Sequence, residues 1–197
     1  MRVEGTCDTG SVRDDAERWN GRYQGRVTGQ PSMPKGLGGV EIDRTGRCLD
    51  VACGLGEQSL WAAQQGYRVV AIDTSDVAIT ALNSAAVRLG VRDRIETRVV
   101  DLDDGLPSDV ANECSLVVCQ RFRDPRLYEQ LVYMLRPGGV LVITVLSSVG
   151  VHVARSGEPG PFHAVPGELV CTFRELDVTI ERTVELDGEA TLVARRR

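Results

Sequence analysis

The residues most able to do chemistry lie in one short stretch, where two glycines separate two acids that end apolar runs. Asp50 ends the first run, Gly54 and Gly56 follow it, and Asp73 ends the next run. Glycine lets a backbone turn sharply and approach a ligand closely, because it has no Cβ atom. A carboxylate accepts hydrogen bonds from ammonium groups and from paired hydroxyls. This spacing therefore predicts a site for a ligand with a diol and a cationic amino-acid end.

Two features distinguish this loop from a dinucleotide-binding loop. A dinucleotide site typically has a third small residue, in the pattern G-x-G-x-x-G, and holds a pyrophosphate at the start of the following helix. Here Ser59 occupies the third position, and Glu57 adds negative charge where the pyrophosphate would lie. Together with Asp50, these residues favour S-adenosylmethionine over a dinucleotide as the ligand.

A third acid, Asp101, follows the third apolar run and precedes Leu102. We expect its carboxylate to accept a hydrogen bond from the exocyclic amine of adenine, while the leucine packs on the adenine ring. A simple loop acid beside further aspartates is the alternative for Asp101. For Asp73 the alternative is a helix N-cap, although Ser75 already fits that role.

The elements that would position these residues alternate between strand and helix. Strands are predicted at residues 48–52, 67–73, 95–101, 115–119 and 140–146. Helices are predicted at residues 56–66, 75–90 and 125–135. The strand segments are apolar throughout, as expected for parallel strands that are covered on both faces. This repeat predicts a doubly wound, Rossmann-like sheet whose strand ends meet at one ligand-binding edge.

The two ends of the chain differ from this repeat. Residues 177–186 and 189–196 predict an antiparallel hairpin after a short helix at 165–176. The chain is thus expected to be an α/β protein with about seven strands and a C-terminal antiparallel hairpin. Residues 1–40 predict an N-terminal flap, made of a helix at 14–23 and a Gly- and Pro-rich loop, and residues 41–197 predict a single binding domain.

Composition limits the partners and the location. The net charge of −5 argues against nucleic acid, which needs a concentrated basic surface. No apolar run is long enough to cross a bilayer, so we expect no membrane contact. The six cysteines include no C-x-x-C pair, and the two histidines lack metal-ligand spacing, so we expect no metal. No signal peptide is recognisable, which makes the cytoplasm the expected location.

Four segments resemble the class I S-adenosylmethionine-dependent methyltransferases: LDVACGLG, VVAIDTS, VVDLDD and LRPGGVLVI. Within that superfamily the chain is similar to the small tellurite-resistance-type branch. The similarity rests on the W-x-x-R-Y pattern at residues 19–23, on QRFRDPRLYEQL and on the late PGEL. It departs from that branch after the second glycine, where Glu57 and Gln58 replace the usual Arg-Asn.

The resemblance implies a cofactor site that is formed by the flap and by the ends of the strands. Its residues would be Trp19, Arg22, Tyr23, Asp50, Ala52, Gly54, Gly56, Asp73, Thr74, Asp101, Leu102, Cys119 and Gln120. The first strand and the glycine loop would contact the methionine end, and the second and third strands would hold ribose and adenine. Cys119 and Gln120 would lie near the sulfonium.

The implied reaction is methyl transfer by direct in-line displacement to a small-molecule acceptor, which leaves S-adenosylhomocysteine. Catalytic residues are not identifiable from the sequence, but histidine ordinarily changes charge near pH 7, which makes His152 and His163 candidate bases. Arg121 and Arg123 could attract an anionic acceptor, and the alternative for both is a solvated loop or an ion pair with Asp124. A monomer or a homodimer is compatible with the sequence. The alternative functions are a non-catalytic S-adenosylmethionine-binding module and an NAD(P)-dependent oxidoreductase.

Overall fold

A seven-stranded sheet, in the order β3-β2-β1-β4-β5-β7-β6, forms the centre of the molecule. The computed structural model describes residues 12–150 and 162–197. The strands are β1 Arg47–Val51, β2 Arg68–Asp73, β3 Ile95–Val99, β4 Cys114–Gln120, β5 Leu135–Leu146, β6 Val178–Leu186 and β7 Glu189–Arg196. Strands β1 to β5 are parallel, and β7 runs antiparallel to both β5 and β6. This topology confirms the predicted doubly wound α/β sheet with a C-terminal antiparallel hairpin.

Helices cover both faces of this sheet. They are α1 Val12–Tyr23, α2 Glu57–Gln64, α3 Asp76–Arg88, α4 Tyr128–Tyr133 and α5 Glu168–Arg174, with short 3-10 helices at Arg92–Arg94 and Pro125–Leu127. Alternate residues of the central strands belong to two separate hydrophobic clusters, because successive side chains of a strand point to opposite faces. Helices α2 and α3 contribute to one cluster, and α4 and α5 contribute to the other. Within the described ranges, no helix is both long and apolar enough to cross a bilayer.

Two strand boundaries differ from the prediction by two residues or more. Strand β3 ends at Val99, so Asp101 lies in the following loop and not at the strand end. Strand β5 begins at Leu135, five residues before the predicted start. Leu135 already pairs with Cys114, and the pairing of β4 with β5 then shifts in register across the segment that contains Gly138. The Pro-Gly-Gly sequence at residues 137–139 predicts a turn, but in this structure it lies inside β5, where the strand pairing is irregular.

The segment between α1 and β1 contains no helix or strand, and its first part, residues 24–40, is termed the strap. The strap contacts the start of α2, where the Ser32 amide donates to the Glu57 carbonyl at 3.1 Å. Further along, Leu37 is buried, and the Arg182 guanidinium donates to the carbonyls of Gly36 and Gly38. The strap therefore connects the start of α2 with the hairpin strands.

Candidate cofactor-binding site

The loop after β1 turns through three residues in the left-handed region, which is unfavourable for residues other than glycine. The φ angles of Ala52, Gly54 and Gly56 are 52°, 54° and 83°. The Gly54 amide donates to Asp73 Oδ2 at 2.7 Å, so the loop is bonded to the end of β2. A Cβ atom on Gly56 would overlap with the side chain of Leu82 in α3. Gly54 therefore brings the backbone to the Asp73 carboxylate, and Gly56 permits α3 to pack against the loop.

Asp50 lies inside β1, one residue before its end, and is only 2% exposed. Its Oδ2 accepts a hydrogen bond from the Ser59 hydroxyl at 2.5 Å. The pKa of Asp50 is raised to about 7, mainly by burial and also by the charges of Asp73 and Glu57, while the hydrogen bonds from Ser59 oppose the shift. This geometry explains the serine at the third glycine position, because Ser59 satisfies a buried carboxyl group.

Asp73 ends β2 and holds two backbone segments together. Besides Gly54, it accepts a bond from the Ser75 amide at 2.9 Å through Oδ1. The residue is 5% exposed, and burial raises its pKa. Ser75 itself is the N-cap of α3, since its side chain accepts from the Ala78 amide. The capping alternative for Asp73 is thus wrong, and its carboxylate oxygens retain lone pairs for ligand hydroxyls.

Asp101 has one satisfied carboxylate oxygen and one unsatisfied one. Its Oδ1 accepts from the Asp103 amide at 2.9 Å, whereas the buried Oδ2 has no hydrogen-bond partner among the described residues. A buried acceptor without a donor is destabilising, so a donor from a ligand would be favourable here. Leu102 beside it is 8% exposed. A hollow of about 140 Å³ adjoins Leu102 and is lined by Leu102, Asp103, Asp104, Gly105, Arg126, Leu127 and Gln130.

Helix α1 docks beside this site through Asn20, a residue that the sequence analysis did not identify. Its side-chain oxygen accepts from the Ser75 hydroxyl and its amide donates to Asp76, both at 2.6 Å. An asparagine inside a short helix gives no signal of such long-range bonds in the sequence. The two bonds fix α1 over the start of α3.

Tyr23, at the end of α1, is the flap residue that lies against the glycine loop. A Cβ atom placed on Gly54 would lie 2.8 Å from the Tyr23 hydroxyl oxygen, so the hydroxyl lies close to the glycine. The pKa of Tyr23 is raised to about 12, mainly by burial and in part by the charge of Asp73. Trp19 stacks on the Tyr23 ring at 5.8 Å between centroids, and the exposed Arg22 lies 5.3 Å from the Trp19 ring. The flap residues thus form one aromatic layer whose tyrosine faces the loop.

The two residues that depart from the branch pattern hold the strap. Glu57 Oε1 accepts from the Gly29 amide at 3.2 Å, and the Gln58 amide donates to the Ser32 hydroxyl at 3.1 Å. Thr28, next to the first of these contacts, is 6% exposed, and its hydroxyl has no partner among the described residues. The pair Glu57-Gln58 therefore has a structural role in this chain.

At the end of β4, Cys119 pairs with Val51 in β1, so the two strand ends adjoin. Cys119 is 1% exposed, and burial raises the pKa of its thiol well above the usual range. Gln120 accepts a bond from the Lys35 amide of the strap through Oε1 at 3.3 Å. The strap therefore closes over the end of β4 as well as over the start of α2.

The candidate acceptor-side residues lie in different surroundings. The Arg123 guanidinium pairs with Glu168 in α5 at 2.6 Å, and Asp124 pairs with Arg126 at 2.6 Å. His163 is half-buried and precedes Ala164, which bridges to Ser147 after β5. His152 lies outside the described residues, as does Cys7. Among the described residues, no group of His, Cys, Asp and Glu is arranged to hold a metal ion.

Thr74, which follows Asp73, is partly exposed at the end of β2. With Thr74, all the proposed cofactor residues of β1, β2 and the glycine loop lie at one edge of the sheet. This edge includes the position where β1 has β2 on one side and β4 on the other. In doubly wound sheets, the crevice at such a reversal of strand order is the usual ligand site.

Comparison with known proteins shows what the sequence and the fold of this chain are similar to. Residues 48–139 match the family described as methyltransferase domain. The fold is similar to that of geranyl diphosphate C-methyltransferase from Streptomyces coelicolor A3(2), with a TM-score of 0.71, 15% identity, and 97% and 100% of the two chains covered. It is also similar to TehB from Haemophilus influenzae, with a TM-score of 0.61, 20% identity, and 77% and 57% of the chains covered.

Among curated proteins, ribosomal RNA small subunit methyltransferase C from Alcanivorax borkumensis is 29% identical in an alignment 123 residues long that covers 57% of this chain. The matched part spans about a third of that relative, 36% of its length. The strand order with its closing antiparallel hairpin, the glycine loop bonded to Asp73 and the match over 48–139 agree with one another. The chain therefore contains a region similar to methyltransferase domains, residues 48–139, within a fold similar to that of geranyl diphosphate C-methyltransferase.

Proposed function

We propose that this protein transfers the methyl group of S-adenosylmethionine to a small-molecule acceptor by direct in-line displacement. The main support for this proposal is that several acidic residues lie close together around the glycine loop. Asp50 is buried, and its pKa is raised further by the charges of Asp73 and Glu57. A ligand that brings a sulfonium and an ammonium group would relieve this repulsion, whereas the pyrophosphate of a dinucleotide would increase it.

Each part of the cofactor has a candidate partner in this proposal. Asp73 binds the ribose hydroxyls, and Asp101 Oδ2 accepts from the exocyclic amine of adenine, which gives its unsatisfied oxygen a donor. Asp50 and the turn at Gly54 and Gly56 bind the methionine end, under the hydroxyl of Tyr23. Residues 41–197 form the cofactor-binding domain in this proposal, and the helix and loop before them form its flap.

The chemistry required of the protein residues is modest. The sulfonium of the cofactor is itself a good leaving group, so the protein mainly aligns acceptor, methyl group and sulfur and excludes water. The strap and α1 supply this cover through Gln120, Glu57 and Asn20. Cys119 is not a nucleophile in this scheme, because burial keeps its thiol uncharged.

A small molecule is the acceptor that fits the composition best. The net charge of −5 disfavours binding to RNA, whose phosphates need a basic surface. The curated relative that methylates ribosomal RNA is matched over only 36% of its length, so its substrate is not carried over to this chain. An acceptor held under the strap would instead be bound by the few residues that surround the end of β4.

The proposal is tested in two steps with the purified chain. Calorimetric titration should give one site for S-adenosylhomocysteine and no heat of binding for NADH. Methyl transfer from labelled S-adenosylmethionine is then measured over a panel of small oxygen, nitrogen and sulfur acceptors, with ribosomal RNA as a comparison. Transfer to a small molecule is the expected result. Binding without any transfer would instead favour the non-catalytic module, and binding of NADH alone would restore the oxidoreductase alternative.

A further inference from the structure

Two cations share a single carboxylate at the edge of the sheet where the strands end. The Lys35 ammonium lies 2.5 Å from Glu189 Oε2, and the Arg121 guanidinium lies 2.8 Å from Glu189 Oε1. Both cations pull the pKa of Glu189 below its usual value, so this carboxyl is charged at neutral pH. Two positive charges against one negative charge leave this trio with a net positive charge, in a chain whose total is −5.

The trio lies beside the candidate reaction site. Arg121 directly follows the last residue of β4, and Lys35 is joined to that last residue, Gln120, by its backbone amide. Glu189 pairs with Leu146, the last residue of β5. Since β4 adjoins β1 through Val51, the trio shares the edge of the sheet that carries the glycine loop.

Arg121 adopts an uncommon backbone conformation. Its φ of 61° lies in the left-handed region, which is unfavourable for a residue with a Cβ atom. The Arg121 amide donates to the Thr144 carbonyl at 2.7 Å, which holds this conformation. Unfavourable backbone conformations of this kind concentrate at binding and catalytic sites, where they place a particular side chain.

The cations are accessible, and the carboxylate that holds them is not. The side chains of Lys35 and Arg121 are 56% and 73% exposed, and that of Glu189 is 15% exposed. Exposed ion pairs contribute little stability, so the two cations can turn to a ligand anion at small cost. Arg123 is unlike them, because its pair with Glu168 has side chains only 21% and 11% exposed.

An apolar side chain adjoins the trio. Leu186 is the cross-strand partner of Glu189 and is 59% exposed. Directly opposed residues of antiparallel strands have neighbouring side chains on the same face of the sheet. A ligand with an oxyanion on the two cations would therefore have an apolar surface next to its charged group.

We propose that Lys35 and Arg121 bind an oxyanion of the methyl acceptor, so that the acceptor is a small acid with a carboxylate or phosphate group. Guanidinium binds either group through two parallel hydrogen bonds, and an ammonium group adds a second charge. Glu189 keeps the two cations together when no acceptor is bound. This inference rests on the proposed methyl transfer and names the class of acceptor for it.

The test measures anion binding to the protein saturated with S-adenosylhomocysteine. Sodium phosphate and sodium benzoate are titrated separately at low salt by calorimetry, into wild type and into the double variant Lys35→Met/Arg121→Gln. We expect millimolar binding by wild type and at least a tenfold loss in the double variant. Glu189→Gln should bind the anions several-fold more tightly, because the competing carboxylate is removed. Arg98→Gln is the matched control, since Arg98 pairs with Glu96 and Asp109 at the opposite end of the sheet.

Each outcome decides the inference. Loss of both anions in the double variant supports a general oxyanion subsite, and loss of one alone identifies the acceptor's group as phosphate or carboxylate. The inference is overturned when wild type binds neither anion, or when the double variant and Arg98→Gln bind them as wild type does. A variant is compared only when its affinity for S-adenosylhomocysteine is unchanged. Failure of wild type to bind that nucleoside would instead remove the proposed function, and with it this inference.

Discussion

The carboxyl groups around the glycine loop differ in what each one is able to bind. Asp73 is occupied by the Gly54 and Ser75 amides and so stabilises the loop itself. Among the described residues, Asp101 has a buried oxygen without a donor, and the buried Asp50 accepts a bond from the Ser59 hydroxyl. Asp73 is thus partly structural. Asp50 and Asp101 are the two acids whose carboxyl groups would gain most from a partner on the cofactor.

The raised pKa of Asp50 predicts a pH dependence of cofactor binding. Because its pKa in the free protein is about 7, Asp50 is mostly protonated at pH 6 and mostly charged at pH 8. Only the charged form attracts an ammonium group, so the affinity for S-adenosylhomocysteine should rise between pH 6 and 8, at most about tenfold per pH unit below the pKa. Calorimetric titration at several pH values measures this rise.

The control for this prediction is Asp50→Asn, which keeps the shape of the side chain and cannot ionise. Its affinity should be lower at pH 8 and nearly constant from pH 6 to 8. The pKa of Asp50 in the folded protein lies above its value in the unfolded chain, so neutral Asp50 contributes stability to the free protein that is fully present below about pH 4. That contribution is lost as the pH rises through 7. An affinity that falls from pH 6 to 8 would contradict the assignment of Asp50.

At the scale of elements, the positions of the central strands could be predicted because each is a continuous apolar run that is buried on both faces. Contacts between distant segments could not be predicted. Two examples are the hydrogen bond from Asn20 to Asp76 and the ion pair of Arg123 with Glu168. In both, the partners are far apart in sequence, and the residues around each one give no indication of its partner. The early start of β5 was missed because its bulge has the composition of a turn.

The packing of the glycine loop against α3 gives a prediction with a built-in control. In Gly56→Ala, the new Cβ atom meets Leu82 and the residue has a φ of 83°, so overlap adds to backbone strain. Gly90→Ala has a similar φ of 68° but nothing within 4 Å of the new atom. We expect a loss of about 1–2 kcal/mol for Gly90→Ala from strain alone. Gly56→Ala should lose about 1–3 kcal/mol more through overpacking.

Urea unfolding of the free protein measures both values. Equal losses in the two variants would show that Leu82 moves aside without cost, and that Gly56 is needed only for its backbone conformation. A larger loss for Gly56→Ala would show that the glycine loop and α3 are packed as one unit. The difference between the variants is the informative quantity, because both carry the same change in the unfolded chain.

At the scale of the whole molecule, the sheet order gathers residues from five separate segments at one edge. The strap, the glycine loop and the ends of β2, β4 and β5 all contribute, although they are distant in sequence. The proposed cofactor half of this edge could be predicted from the sequence, since its motifs are contiguous and each follows a strand. Of the proposed acceptor half only Arg121 could be predicted, because Lys35 and Glu189 come from segments that only the folded chain brings beside it.

The most direct test of the central claim is a crystal structure of the protein with bound S-adenosylhomocysteine. In that structure we expect the ribose hydroxyls to donate to the Asp73 carboxylate and the adenine amine to donate to Asp101 Oδ2. We also expect the homocysteine amino group to lie beside the loop of Gly54 and Gly56, beneath Tyr23. A nucleoside bound elsewhere, or one whose adenine leaves Asp101 Oδ2 without a donor, would contradict the account.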